Sequence, residues 1–356
     1  MESGYYISNG KKIILSPDLE KLDLSIDQSN HITTIKCNIN LKKLFLAGEN
    51  LTPFDEIDIE FNENLKFLKI EKFSIKSLIL NKKLEKLELN IDESHKMTGI
   101  KCNENLKKLH LHGTPYINKC NLTPEIEFNK KLKSLRVSNL SLKSLITNKN
   151  LMDFSIKTSQ IEHLVLNGKF KSLKFQYNKI DTLEVRASDL KKLSVPHNEL
   201  KKIILNEKLE KLNVKYNALK EIELNENLKT LYVQRNKIKT IILNENLEEL
   251  NVCHNNVAEI ELNENLKTLD ISYNKLKKII LIEKLEELDV SYNKLTDIEL
   301  NENLRKLDVS DNNLEKIILT KKLKELSISN RKNKNIKFDN SIGNSKVKIE
   351  YSAVPN

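Results

Sequence analysis

Leu109-His110-Leu111-His112 sets two imidazoles two residues apart, on one face of the chain if the segment is extended. The preceding copy of the same pattern places Glu88 on the neighbouring strand, and two His with one carboxylate can bind zinc. Arg136 on the following strand opposes such a site, and no further ligand spacing is fixed. Cys253 has only His254, on the same strand, as a base, which is a weak arrangement for a nucleophile. The chain carries no G-x-x-x-x-G-K-[ST], no G-x-S-x-G, no H-E-x-x-H and no C-x-x-C. Its 7 glycines are too few for phosphate-cradling loops, and its 4 cysteines lack the paired spacing of a disulfide or zinc framework. Cys37 and Cys102 fall at inward positions and read as core thiols. No catalytic residue, metal or cofactor is expected.

What the sequence does contain is one pattern at a fixed interval. "LEELDVSYNKLTDIELNEN" (285–303) follows "LKTLDISYNKLKKIILIEK" (266–284) and precedes "LRKLDVSDNNLEKIILTKK" (304–322). Counted from its first Leu, the unit is apolar at positions 1, 4, 6, 11, 14 and 16 and has Asn at position 9. In the first of these copies the positions are Leu285, Leu288, Val290, Leu295, Ile298, Leu300 and Asn293. Alternation at positions 4 and 6 is the period of a strand with one buried face. Nineteen residues cannot hold a strand, two turns and a full helix, and "KLTDIEL" also alternates, so the back half reads as extended or a short second strand. One repeat buries too little apolar surface to offset the entropy of ordering it; stacked repeats share their flanks. First-Leu positions number sixteen, from 19 to 323 with Phe at 170, and from 190 onward each step is nineteen.

Asn178, Asn198, Asn217, Asn236, Asn255, Asn274, Asn293 and Asn312 occupy position 9 without a break. Each amide can donate to and accept from backbone groups of the turn and the next layer. In the first half this position is irregular, with Phe73, Leu140 and Ser159 among its occupants, and less regular curvature is expected there.

The pattern L-x-x-L-x-L-x-x-N, recurring in register, resembles the leucine-rich repeat superfamily. The resemblance implies a curved solenoid, a horseshoe or arc, whose parallel sheet lines a concave face that usually binds proteins. The period is shorter than the usual 20–29 residues, which favours a β-rich solenoid with an extended or short-stranded convex side and little helix. Residues 1–18 read as an N-terminal half-repeat cap, 19–189 as irregular repeats, 190–330 as regular repeats and 331–356 as a C-terminal cap, all in one continuous solenoid.

Positions 3, 5, 7 and 8 are expected to point from the concave sheet. Position 8 carries Tyr177, His197, Tyr216, Arg235, His254, Tyr273, Tyr292 and Asp311, a stripe of residue types that anchor interfaces. The alternative is that the Tyr merely shields the turn. Position 5 carries Tyr232 and then Asp270, Asp289 and Asp308, three carboxylates on strands about 4.8 Å apart. They fit a basic partner, or are inherited wording. On the back, position 15 alternates Ile and Glu, as in Ile242, Glu261, Ile280 and Glu299; neighbouring Lys stems are expected to cover the isoleucines, the alternative being an exposed file that serves as a lateral contact or dimer surface.

Net charge is +10, with both signs interleaved, which reads as a solvated surface more than a nucleic-acid arm. Lys, Asn and Ile dominate, a bias of AT-rich genomes such as those of large DNA viruses of protists. The N-terminus has no apolar run of signal-peptide length and no stretch approaches a membrane span, so an intracellular, cytoplasmic monomer is expected. The first functional reading is a non-enzymatic scaffold that binds a protein, of unknown identity, through the concave face. The alternatives are nucleic-acid binding through Lys174, Lys192, Lys211, Lys215 and Arg235 beside the Tyr stripe, or assembly through the convex face.

Overall fold

A computed structural model describes residues 4–8, 11–27, 31–49, 58–72, 78–91, 99–113, 125–329, 337–339 and 348–352. They fall into two compact units. The first comprises Met1–Phe170 and Phe175–Ile180, the second Lys171–Lys174 and Asp181–Asn356. The described residues contain no helix, as the short period implied.

The first unit is built on a seven-stranded sheet running from Lys21–Asp27 to Asp153–Lys157, with every pair parallel. Position 4 forms one file through its centre, Leu22, Leu44, Leu68, Leu87, Leu109 and Leu135, all buried. On the other side of each repeat, short strands pair in parallel, such as Thr34–Lys36 with Asp58–Glu60 and Ser141–Ile146 with Gln160–Leu166. Lys12–Leu15 joins this back layer in parallel with Thr34–Lys36, and Tyr5–Ser8 folds onto it antiparallel. That hairpin pairs an otherwise open edge.

The second unit carries a ten-stranded parallel sheet from Ser172–Lys174 to Lys348–Ser352. Its regular strands are three residues long, for example Thr230–Tyr232, Glu249–Asn251, Thr268–Asp270, Glu287–Asp289 and Lys306–Asp308. Leu231, Leu250, Leu269, Leu288 and Leu307 stand in register, each buried. Leu285, Val290 and Leu295 show no exposed surface, whereas Leu300 at position 16 is half-buried. Of the expected C-terminal cap, Lys337–Asp339 pairs with Lys316–Ile318 on the back and Lys348–Ser352 with Glu325–Ser329 on the front. Residues 331–336, 340–347 and 353–356 lie outside the described residues.

Strand length follows from the backbone at position 8. In the second unit, position 8 is left-handed in every repeat with a position-9 Asn, and the strand ends early. Lys21–Asp27 and Lys43–Glu49, whose repeats lack that Asn, run for seven residues. Phe73, which takes the place of Asn in another copy, lies outside the described residues, while Leu140 and Ser159 are buried.

Candidate functional site

The strand face of the second unit is formed by positions 3 and 5. At its N-terminal end, Ser172, Lys192 and Lys211 register side by side, as do Lys174, Ser194 and Asn213. Small Ser side chains between Lys stems leave a hollow of about 210 Å³, closed on one side by Tyr232. The Tyr232 hydroxyl donates to Glu249, and burial together with that carboxylate pushes its pKa up to about 12. Tyr232 is thus a fixed, neutral wall.

Beyond Tyr232 the face turns acidic. Asn251, Asp270, Asp289 and Asp308 register in one file. Asn251 Nδ2 donates to Asp270 Oδ2 at 2.7 Å. Each Asp also caps its own turn: Ser272, Ser291 and Ser310 donate backbone N–H to Asp270, Asp289 and Asp308 at 3.1, 2.9 and 2.9 Å. Position 7 is therefore turned inward, with Ser272, Ser291 and Ser310 each 5% exposed, and not outward as the alternation suggested. The strand has ended, so period two no longer applies.

Burial raises the pKa of Asp289 to about 6, and its flanking carboxylates Asp270 and Asp308 add to the rise. The folded carboxyl keeps its proton where the unfolded one, near 4, has lost it. Stability from this group is therefore present below about pH 4, falls as pH rises to about 6 and is flat above. Asp289→Asn retains an acceptor for the Ser291 N–H, as Asn213 and Asn251 show at the equivalent turn. We expect the variant to gain about 1 kcal/mol on wild type above pH 6 and nothing below pH 4, allowing for solvent screening. Urea unfolding at pH 4, 5, 6 and 7 checks this.

The position-8 residues do not stand on the strands. Tyr177, His197, Tyr216, Arg235, His254, Tyr273, Tyr292 and Asp311 all have φ between 51° and 58°, at the turn beyond the strand end. Those of the second unit, from His197 to Asp311, form a rim along the strand ends. His197 stacks on Tyr216 at 4.3 Å, and His254, Tyr273 and Tyr292 stack successively at 4.0 Å. Arg235 lies over Tyr216 at 5.3 Å. Burial and the neighbouring Arg235 lower the His254 pKa, so its ring is neutral at pH 7. Tyr216, Tyr273 and Tyr292 remain more than 40% exposed, so each ring covers its neighbour and leaves an edge to solvent.

Behind the rim, each position-9 Asn bridges two repeats. Asn255 Nδ2 donates to Val233 O of the previous repeat and to Val252 O of its own, both at 3.0 Å, while its Oδ1 accepts from Ile238 N at 2.9 Å. Asn236, Asn274, Asn293 and Asn312 make the same set.

Two further asparagine ladders escaped sequence reading. Three residues before the next repeat's first Leu (position 17 in the regular copies), Asn62, Asn103 and Asn148 in the first unit, and Asn206, Asn263 and Asn301 in the second, donate to the carbonyl of the matching residue one repeat earlier and to that of their own repeat's first Leu. One residue before the next first Leu (position 19 in the regular copies), Asn64, Asn105 and Asn150, then Asn227, Asn265 and Asn303, donate to a third. Where Lys replaces the latter, its Nζ reaches the Asn of the previous repeat, as Lys284 does to Asn265 at 2.7 Å. The first unit, which lacks the position-9 series, is thus laddered at the opposite corner. The recurring N-x-N was the available signal.

In the first unit, His110 Nδ1 lies 3.1 Å from Glu88 Oε1, and Lys86 holds the same oxygen at 2.8 Å. His112 instead meets Ser138 at 2.6 Å. Burial lowers the His110 pKa. No group of three ligating side chains is assembled among the described residues. Burial pushes the Cys37, Cys102 and Cys253 thiols up to about 12, so none is a thiolate at pH 7.

The leucine-rich repeat family model matches residues 262–280, 282–298 and 300–319, three consecutive copies of the unit. No curated protein matches the sequence. Among solved structures, the chain is similar to YopM from Yersinia enterocolitica WA-314, at 22% identity over 97% of this chain and 87% of that one, with a TM-score of 0.45. It is similar to a leucine-rich repeat protein of Leptospira interrogans at 19% identity over 94% and 96%, with a TM-score of 0.42. It is also similar to the functional domain of InlJ from Listeria monocytogenes at 19% over 88% and 74%, with a TM-score of 0.44. Residues 262–319 thus carry leucine-rich repeats, and the same buried Leu position recurs in the other described repeats of both units.

Proposed function

We propose that this protein is a non-enzymatic scaffold that recognises a protein partner through the strand face and rim of its second unit. The observation that carries the reading is charge segregation on a rigid surface. Lys174, Lys192 and Lys211 surround the hollow at one end, and Asp270, Asp289 and Asp308 line the other. Tyr232 and the stacked rim supply flat, low-entropy contact area between them. A partner with an acidic and a basic patch docks in one orientation only. A nucleic-acid strand suits the lysine end, but its phosphates meet the Asp file.

The test is capture from lysate of the cells that make the protein. Wild type is compared with a variant carrying Ala at Tyr216, Tyr232, Arg235 and Tyr273, with and without nuclease. We expect a protein retained by wild type, lost by the variant and indifferent to nuclease. Retention that nuclease abolishes assigns the face to nucleic acid instead, and equal retention by both proteins removes the face from the account.

A further inference from the structure

The back of the second unit carries a second periodic surface. At position 15, Ile204, Ile242, Ile280 and Ile318 are 45%, 86%, 73% and 50% exposed. The expected cover of Lys stems is absent; Lys201, for one, turns to Asp181 at 3.4 Å. Glu223, Glu261 and Glu299 occupy the same position in the repeats between, exposed and with no ion pair among the described residues. Beside this file, position 18 is Glu in six successive repeats, from Glu207 to Glu302, all exposed. A hollow of about 490 Å³ lies by Ile204, lined by Lys201 and Lys202 of the same repeat and by Glu221, Ile222 and Glu223 of the next, so the carboxylates gather at the Glu repeats.

Successive repeats are about 4.8 Å apart, so the isoleucines recur about every 10 Å with a carboxylate midway. A heptad of α-helix rises about 10.5 Å and returns to nearly the same face, drifting about 20°. Residues three or four places on lie halfway between, on that face. An extended strand offers no such match: its facing side chains recur about every 6.6 Å. A second copy of this back face would set Glu against Glu or Ile against Glu.

We propose that the position-15 file binds a basic amphipathic helix of a partner protein. The helix has one apolar residue per heptad, Lys or Arg three and four places after it, and about twenty residues between Ile204 and Ile318. Its apolar residues cover the isoleucines, and its cations meet Glu223, Glu261 and Glu299. Further cations on one flank face the position-18 glutamates, which fixes its direction of roll.

The probe is a synthetic 22-residue peptide with Leu at residues 1, 8, 15 and 22, Arg three and four places after each of the first three, and Ala or Gln elsewhere. Fluorescence anisotropy at 0.15 M salt reads its affinity. We expect saturable binding that weakens at least tenfold for a peptide of equal composition with Leu at every fifth residue. An equal weakening is expected for Ile242→Lys, Ile280→Lys protein, whose substituted sites are exposed and should leave the melting temperature unchanged. Glu223→Lys, Glu261→Lys, Glu299→Lys protein should reject the Arg peptide and accept one with Glu in its place. Equal affinity for both Leu spacings, indifference to the Ile variants or no saturable binding overturns the proposal. So does self-association of wild type that the Ile variant loses, which assigns the file to a second copy.

Discussion

Asn255→Leu should lower the unfolding free energy by about 1–3 kcal/mol. The amide joins Val233 O and Val252 O and accepts the Ile238 N–H, in a site where Asn255 is 9% exposed. Leucine keeps the branching of the side chain but offers neither donor nor acceptor, so the Ile238 N–H is left unpaired at roughly 1–3 kcal/mol, while Val233 O and Val252 O each lose one of two amide donors and keep Asn236 and Asn274. Because each repeat contacts only its neighbours, the loss is concentrated at one interface, and unfolding should split into two transitions about that point. The chain already contains the opposite case. Ile282 stands where the position-17 ladder has Asn263 and Asn301, and it supplies no donor to the repeat before it. Ile282→Asn should therefore stabilise by about 1 kcal/mol. Urea unfolding followed by circular dichroism measures both, and a change below 1 kcal/mol for Asn255→Leu would show that the ladder is ornament.

Reversing the hollow, with Lys174→Glu, Lys192→Glu and Lys211→Glu, should weaken the captured partner by about 100-fold at 50 mM ionic strength and by about tenfold at 0.5 M. All three Lys are exposed and without an ion pair among the described residues, so folding barely senses them. A partner carboxylate that met three cations would meet three like charges, and such juxtaposition costs several kcal/mol. The contrast fades with salt because the Debye length shrinks from over 10 Å to about 4 Å. Association rates should carry most of the change. Surface plasmon resonance at both ionic strengths separates the rates. An unchanged affinity at low salt would place the partner elsewhere.

How much of this could be read from residues depended on whether a side chain's type fixed its geometry. The Leu file could be read, because burial at positions 1, 4 and 6 leaves a period that composition does not imitate. Asn at position 9 could also be read, since an amide is the side chain that both donates and accepts at a turn. The rim was misplaced by one structural step. Tyr, His and Arg are not residues that announce a left-handed backbone, so Tyr216 and Tyr273 were carried along the strand as if period two continued. The ladders of Asn263 and Asn265 were hidden by composition: in an Asn-rich chain a repeated N-E-N reads as codon bias until its hydrogen bonds are seen. The Ile242 and Ile280 exposure was the less favoured of two readings for a different reason. Covering by Lys stems is a matter of rotamer and competing partner, and neither is written in a repeat.

The central claim is that a protein partner sits on the strand face and rim of the second unit. It is tested most directly by the dissociation constant of the captured partner for wild type and for the variant with Ala at Tyr216, Tyr232, Arg235 and Tyr273. The two are measured side by side by calorimetry, after both proteins have been shown to melt alike. The account predicts a loss of at least 100-fold, since aromatic and Arg anchors at the centre of an interface each contribute about 2 kcal/mol or more. Equal constants would contradict it, and would leave the stacked rim as a device that holds the turns of the solenoid and nothing else.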